Sequence, residues 1–160
     1  MNLPINKQTV LITGAGRGLG SAISKSFHRE GAKVIINYRK SFESAKKLGD
    51  SLGNNTLLLK GDIRNKEEVL QMRKELSDQK IIVNTIVHNA INDYKFNGDQ
   101  RKKINEIDWQ DFHNQIETSQ KGFLNLIKIF TPNMRKENFG RFITIGTNLF
   151  QNPVVPYHDY

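Results

Sequence analysis

Thr13-Gly14-Ala15-Gly16-Arg17-Gly18-Leu19-Gly20 carries the densest chemical signal in the chain. Closely spaced glycines allow a tight turn, and a helix that opens on such a turn presents backbone N–H groups without intrahelical partners at the positive end of its dipole. A pyrophosphate suits that arrangement. Gly20, lacking a Cβ, lets the helix lie close to the preceding strand, and Arg17 places a cation inside the turn. A tight strand-to-helix turn without a ligand would use the same glycines, so the turn alone leaves both readings open.

A phosphate-binding turn needs a strand before it and a helix after it. Gln8-Thr9-Val10-Leu11-Ile12 reads as a buried strand, and Ser21-Ala22-Ile23 onward has helical spacing with Phe27 on its apolar face, closed by Gly31. Lys33 to Asn37 predicts a second strand. Ser41 is placed to cap a helix carrying Ala45, Leu48 and Leu52, ended by Gly53 and Asn54-Asn55. Thr56 to Lys60 predicts a third strand, Asn65 opens a helix with Val69, Met72 and Leu76 at core spacing, and Ile81 to Val87 predicts a fourth strand. From Ala90 to about Asp108 the chain is polar and aperiodic, which predicts a surface excursion. Trp109 begins a long helical pattern through Phe130, with Pro132 placed to bend or end it, and Arg141 to Ile145 predicts a fifth strand. Alternating strands and helices imply α/β architecture: a Rossmann-type, doubly wound parallel sheet in one domain over residues 1–160.

Composition narrows the partners. The formal charge of +8 invites a nucleic-acid reading, but the basic residues are dispersed, and Arg101-Lys102-Lys103 lies among Asp99, Glu106 and Asp108 as a solvated face. No nucleic-acid partner is expected. His28, His88, His113 and His158 show no paired metal-ligand spacing, so no metal is expected. The absence of cysteine fits a reducing compartment, no apolar run approaches the ~20 residues of a membrane span, and the N-terminus lacks a signal-peptide pattern. A cytoplasmic protein without a membrane partner is the expectation.

The end of the second strand bears on the dinucleotide. An acid there accepts the adenosine ribose hydroxyls of NAD and repels the additional phosphate of NADP. Tyr38 takes that place here, followed by Arg39 and Lys40, with Arg17 as a third cation. Guanidinium groups fork onto phosphate oxygens, so NADP is expected in preference to NAD.

Thr13 followed by Gly14, Gly18 and Gly20 resembles the Thr-Gly-x3-Gly-x-Gly signature of the short-chain dehydrogenase/reductase family, and the resemblance extends over essentially the whole chain. The five strands then correspond to the first five of that fold. The resemblance implies cofactor contacts from Thr13, Gly14, Gly16, Arg17, Gly18, Leu19 and Gly20, and from Tyr38, Arg39 and Lys40. Asp62-Ile63 is similar to the family's Asp-Val pair at the adenine ring. Asn89 and Ala90 stand where the family writes Asn-Asn-Ala-Gly, with His88 and Ile91 as departures. Ser119, three residues before Gly122, replaces an Asn that helps hold a water of the proton relay. Thr147 and Tyr160, thirteen residues apart, match the spacing of the catalytic Ser and Tyr. Tyr160 would protonate a carbonyl oxygen as hydride arrives from the nicotinamide, while Thr147 bonds that carbonyl.

The family motif continues as Tyr-x3-Lys, the lysine lowering a phenol pKa that is otherwise near ~10. Position 164 lies beyond the sequence, so a domain incomplete at its C-terminal end is expected, inactive as 160 residues, its fifth strand left as an apolar sheet edge. The implied activity is NADP-dependent carbonyl–alcohol interconversion on a small-molecule or acyl-thioester substrate, the pattern being most similar to 3-oxoacyl carrier-protein reductases. A homodimer or homotetramer is implied for the complete protein. Two alternatives remain: a dinucleotide-binding protein without turnover, and a methyltransferase on a comparable glycine turn, against which Thr13 and the Tyr160 spacing argue.

Overall fold

The computed structural model describes residues 3–94, 96–152, 157 and 159–160; His158, counted above among the histidines, lies outside them. Among the described residues five parallel strands form one sheet: β1 (Thr9–Ile12), β2 (Lys33–Tyr38), β3 (Thr56–Lys60), β4 (Thr85–His88) and β5 (Arg141–Thr144). Their order is β3-β2-β1-β4-β5, so the winding direction reverses between β1 and β4. The helices are α1 (Gly18–Arg29), α2 (Phe42–Leu52), α3 (Lys66–Asp78), α4 (Trp109–Ile116) and α5 (Gly122–Lys136). This is the doubly wound α/β arrangement the alternating pattern predicts. Among the described residues no helix is long and apolar enough to cross a membrane.

Strand periodicity divides the core into two faces. Leu11, Ile35, Leu59 and Ile86 point to one side, where Val69, Met72 and Leu76 of α3 meet Leu126, Ile129, Phe130 and Met134 of α5. Val10, Ile12, Val34, Ile36 and Val87 point to the other, against Ala45 and Leu48 of α2 and Ile23 and Phe27 of α1. The central strands are apolar on both faces because both are covered. β5 stands at the sheet edge with Phe142 and Ile143 half-buried.

Strand and helix ends shift by a few residues, and the largest departures from the sequence pattern lie at β4, at Pro132 and within the long helix. β4 begins at Thr85 rather than Ile81, because the Ile81 N–H donates to Leu76 O and closes α3. Asn84 then enters the sheet, its side-chain Oδ1 accepting from Thr9 N at 2.7 Å. Pro132 lies within α5 without ending it, as Ile129, Phe130 and Met134 stay buried through that turn. The long helix widens into a π turn at Glu117–Lys121.

Two polar side chains join β4 to its surroundings. Thr13 is fully buried; its Oγ1 accepts from Asn89 N and Ala90 N, each at 3.0 Å, and donates to Val87 O at 3.4 Å. His88 is buried, stacks on Phe123 at 5.3 Å and donates from Nε2 to Ser119 O at 3.1 Å. Burial pushes the His88 imidazole below its ordinary pKa, with the Ser119 bond opposing in part.

Thr13→Val preserves shape but leaves two backbone N–H groups without their acceptor, so a loss of about 2 kcal/mol is expected, read as a lower urea midpoint at unchanged slope. Thr13→Ser retains most of the stability. For His88 the unfolded chain takes up a proton below its ordinary pKa of about 6.5 while the native chain does not. Stability therefore falls as pH drops from about 6.5 toward the lowered native value, by at most about 1.4 kcal/mol per unit. Urea titrations across that range are expected to show this slope, and His88→Gln to remove it.

Candidate functional site

The reversal of winding between β1 and β4 leaves a crevice at the carboxyl ends of the strands, where doubly wound sheets bind ligands. A cavity of about 670 Å³ occupies it. Its lining brings together Gly14, Gly16, Arg17, Gly18, Leu19 and Gly20 from the β1–α1 turn, Tyr38, Arg39 and Lys40 from the end of β2, Asp62 and Ile63 after β3, and Asn89 and Ala90 after β4. Tyr160 reaches the same cavity. Thr13 lies behind the lining, and Ser119 and Thr147 also stand outside it.

The glycine turn has the form of a phosphate cradle. Gly14 adopts φ +62°, and a Cβ there would meet Ala90 Cα at 3.0 Å. At Gly20 a Cβ would strike Gly14 O at 2.5 Å and Asn89 Nδ2 at 2.6 Å. Larger residues at either position would open the crevice floor. Asn89 Nδ2 donates to Thr13 O at 3.0 Å, and Ala15 N donates to Asn37 O at 3.1 Å, so the turn is anchored to β4 and β2. α1 opens at Gly18 on an extended Arg17 with no side-chain cap, which leaves its first N–H groups for a ligand. These features fit a dinucleotide pyrophosphate.

Charged groups alternate around the rim. Arg64 forks onto Asp62, Nη2 donating to Oδ2 at 2.7 Å and Nε to Oδ1 at 3.0 Å. The Arg64 bonds hold the Asp62 carboxyl below its ordinary range, burial opposing and Arg39 adding to the lowering. Arg39 Nη1 lies 3.6 Å from Asp62 Oδ2, and its Nη2 lies 3.8 Å from Asp93 Oδ2. Arg17 Nη2 donates to Asp93 Oδ1 at 3.1 Å. Buried Asn37 donates to Leu59 O and Gly61 O, which fixes the chain leading into Asp62.

The Tyr160 ring packs on Tyr94 at 4.6 Å and on Phe96 at 4.9 Å. Tyr94 Oη donates to Asp159 Oδ1 at 2.8 Å, and Arg101 Nη2 donates to the same oxygen at 2.6 Å. The Arg101 guanidinium also lies 4.1 Å from the centre of the Tyr94 ring. Burial pushes Asp159 upward, but the bonds from Arg101 and Tyr94 prevail and hold it below the ordinary carboxylate range. Burial and then Asp159 raise the Tyr94 phenol, which keeps its proton. The polar excursion is thus pinned to the residue before Tyr160.

Ser119 Oγ donates to Gln115 O at 2.8 Å on the exposed side of the helix. Thr147 Oγ1 accepts from Leu149 N at 3.1 Å and caps a short 3-10 turn, Asn148–Phe150. Thr118 is buried, lines the cavity, and has no partner for Oγ1 among the described residues. Of the residues in the π turn, Thr118 lines the cavity and Ser119 does not, and nothing in the spacing announces that turn. Sequence reasoning also missed Arg64, Asp93 and Tyr94. A carboxylate two residues before Arg64 was the available signal for the first; the other two lay in the aperiodic excursion.

Residues 8–160 match the family described as short chain dehydrogenase. An NADP-dependent 3-hydroxy acid dehydrogenase of Escherichia coli K12 is 30% identical over 138 residues, covering 86% of this chain and 53% of that protein. An NADPH-dependent pterin aldehyde reductase of Arabidopsis thaliana is 30% identical over 150 residues, covering 91% and 59%. The crystal structure of a serine dehydrogenase from Escherichia coli superposes with a TM-score of 0.79 at 27% identity, covering 92% of this chain and 65% of that one. The chain spans about half the length of the curated relatives it matches. With the Thr13–Gly20 turn, the parallel sheet and a match over nearly every residue, the chain belongs to the short-chain dehydrogenase family.

Proposed function

We propose that the chain carries the cofactor site of an NADP(H)-dependent oxidoreductase that interconverts a carbonyl and an alcohol. The observation that carries this reading is that Arg17, Arg39 and Tyr160 line the same glycine-turn cavity. The uncapped start of α1 would hold the pyrophosphate, and Arg17, Arg39 and Lys40 would hold the adenosine phosphate that distinguishes NADP from NAD. NADPH bound there would supply a hydride to the carbonyl carbon and leave as NADP⁺. Tyr160 would give its phenolic proton to the carbonyl oxygen. Thr147 Oγ1 accepts from Leu149 N, which leaves its hydroxyl proton for the same oxygen. Ser119 Oγ retains acceptor capacity for a water. In the family pattern a lysine four residues on from that tyrosine supplies a neighbouring cation. The substrate class is a small-molecule carbonyl, with acyl thioesters included. A second reading, dinucleotide binding without turnover, is favoured by the placement of Ser119 and Thr147 outside the cavity lining.

Fluorescence titration is expected to show NADPH binding at least about tenfold more tightly than NADH, with Arg39→Ala removing most of the difference. Equal affinity for the two would overturn the NADP assignment. In the whole protein, Tyr160→Phe is expected to reduce kcat by roughly 10²-fold or more while nucleotide affinity stays unchanged. Full turnover by that variant would remove Tyr160 from the mechanism.

A further inference from the structure

We propose that Asp93 acts as an internal competitor for the nucleotide's 2′-phosphate, and thereby tunes how strongly the chain prefers NADPH to NADH. This rests on the NADP reading above. Arg17 and Arg39 come from different elements, the glycine turn and the end of β2, and share Asp93: its Oδ1 accepts from Arg17 at 3.1 Å and its Oδ2 lies 3.8 Å from Arg39. A carboxylate placed between two guanidinium groups occupies the position where a phosphate binding to both would sit.

The neighbouring acid does not play this part. Asp62 is saturated by the Arg64 fork and by Arg64 N, and only its long 3.6 Å contact reaches Arg39. The Asp93 carboxylate is hydrogen-bonded by Arg17 and pairs at longer range with Arg39 and with no other charged group among the described residues, and two thirds of its side chain is exposed. Exposed ion pairs contribute little and are easily displaced. A phosphate dianion carries more charge and more acceptor oxygens than a carboxylate, so it displaces Asp93 from the arginines. NADH has no group to do so, and Asp93 stays in place when NADH binds. Asp93 therefore opposes NADPH and is indifferent to NADH.

The test is calorimetric titration of the chain and of Asp93→Asn with NADPH, NADH and adenosine 2′,5′-bisphosphate. The variant removes the charge and keeps the shape, and circular dichroism melts verify its fold; Asp93→Ala repeats the measurement without the amide. Both substitutions are expected to tighten NADPH and the bisphosphate by roughly three- to tenfold and to leave NADH within about a factor of two. Unchanged or weaker NADPH binding, or an equal gain for NADH, overturns the inference. A wild-type chain that prefers NADPH while the variants match it overturns only the role of Asp93. A wild-type chain that binds neither dinucleotide overturns the cofactor reading and this inference with it.

Discussion

The Thr13 hydroxyl is the joint on which the crevice depends. A hydroxyl offers one donor and two acceptor positions, and Thr13 uses all three: it donates to Val87 O and accepts from the N–H groups of Asn89 and Ala90. These bonds bind the end of β1 to the chain leaving β4, at the place where the sheet reverses its winding. Asn89 answers by donating to Thr13 O. The Gly14 backbone is then forced so near Ala90 that a Cβ would sit 3.0 Å from Ala90 Cα, and Gly20 is enclosed by Gly14 and Asn89. Glycine at those positions follows from the clasp, and the exposed start of α1 follows from the glycines.

Electrostatics at the rim depend on the same placement. Arg64, Asp62, Arg39, Asp93 and Arg17 alternate in sign around the cavity. Arg64 saturates Asp62, whereas Arg39 lies 3.6 and 3.8 Å from its two carboxylates, outside good hydrogen-bond distance. Arg39 is thus oriented by both acids while its donors remain available to a ligand. The formal charge of +8 gives no hint of this arrangement, because it belongs to five side chains brought together from four separate stretches.

Legibility in the sequence followed the range of the interactions. The glycine turn, the strand ladder and the core positions Val69, Met72 and Leu76 are periodic features of adjacent residues, and the Asn65 cap bonds residues two and three positions on. All could be read. The start of β4 depends on Asn84 meeting Thr9, seventy-five residues away, and could not. Pro132 remains helical because tertiary burial overrides its local preference. The π turn carries Thr118, which lines the cavity, and Ser119, which does not, with no residue type to announce the turn. The excursion after Ala90 read as solvent-facing because its polar residues find their partners only on folding.

That excursion determines how Tyr160 is held. Asp159 and Arg101 are largely buried, with side chains 6% and 17% exposed. Removing two charges from water costs several kcal/mol per ion before their attraction and hydrogen bonds offset it, so such a pair contributes geometry more dependably than stability. Here the geometry is specific: the Arg101 guanidinium both bonds Asp159 and covers the Tyr94 ring, Tyr94 bonds the same carboxylate, and the aromatic cluster of Tyr94 and Phe96 receives Tyr160. An apolar pair of equal volume would fill the space without fixing the ring's orientation. The glycine-turn floor of the cavity is therefore set by ladder neighbours at the sheet reversal. The placement of Tyr160 is set by side chains almost sixty residues apart, and its geometry depends on one buried carboxylate remaining ionised.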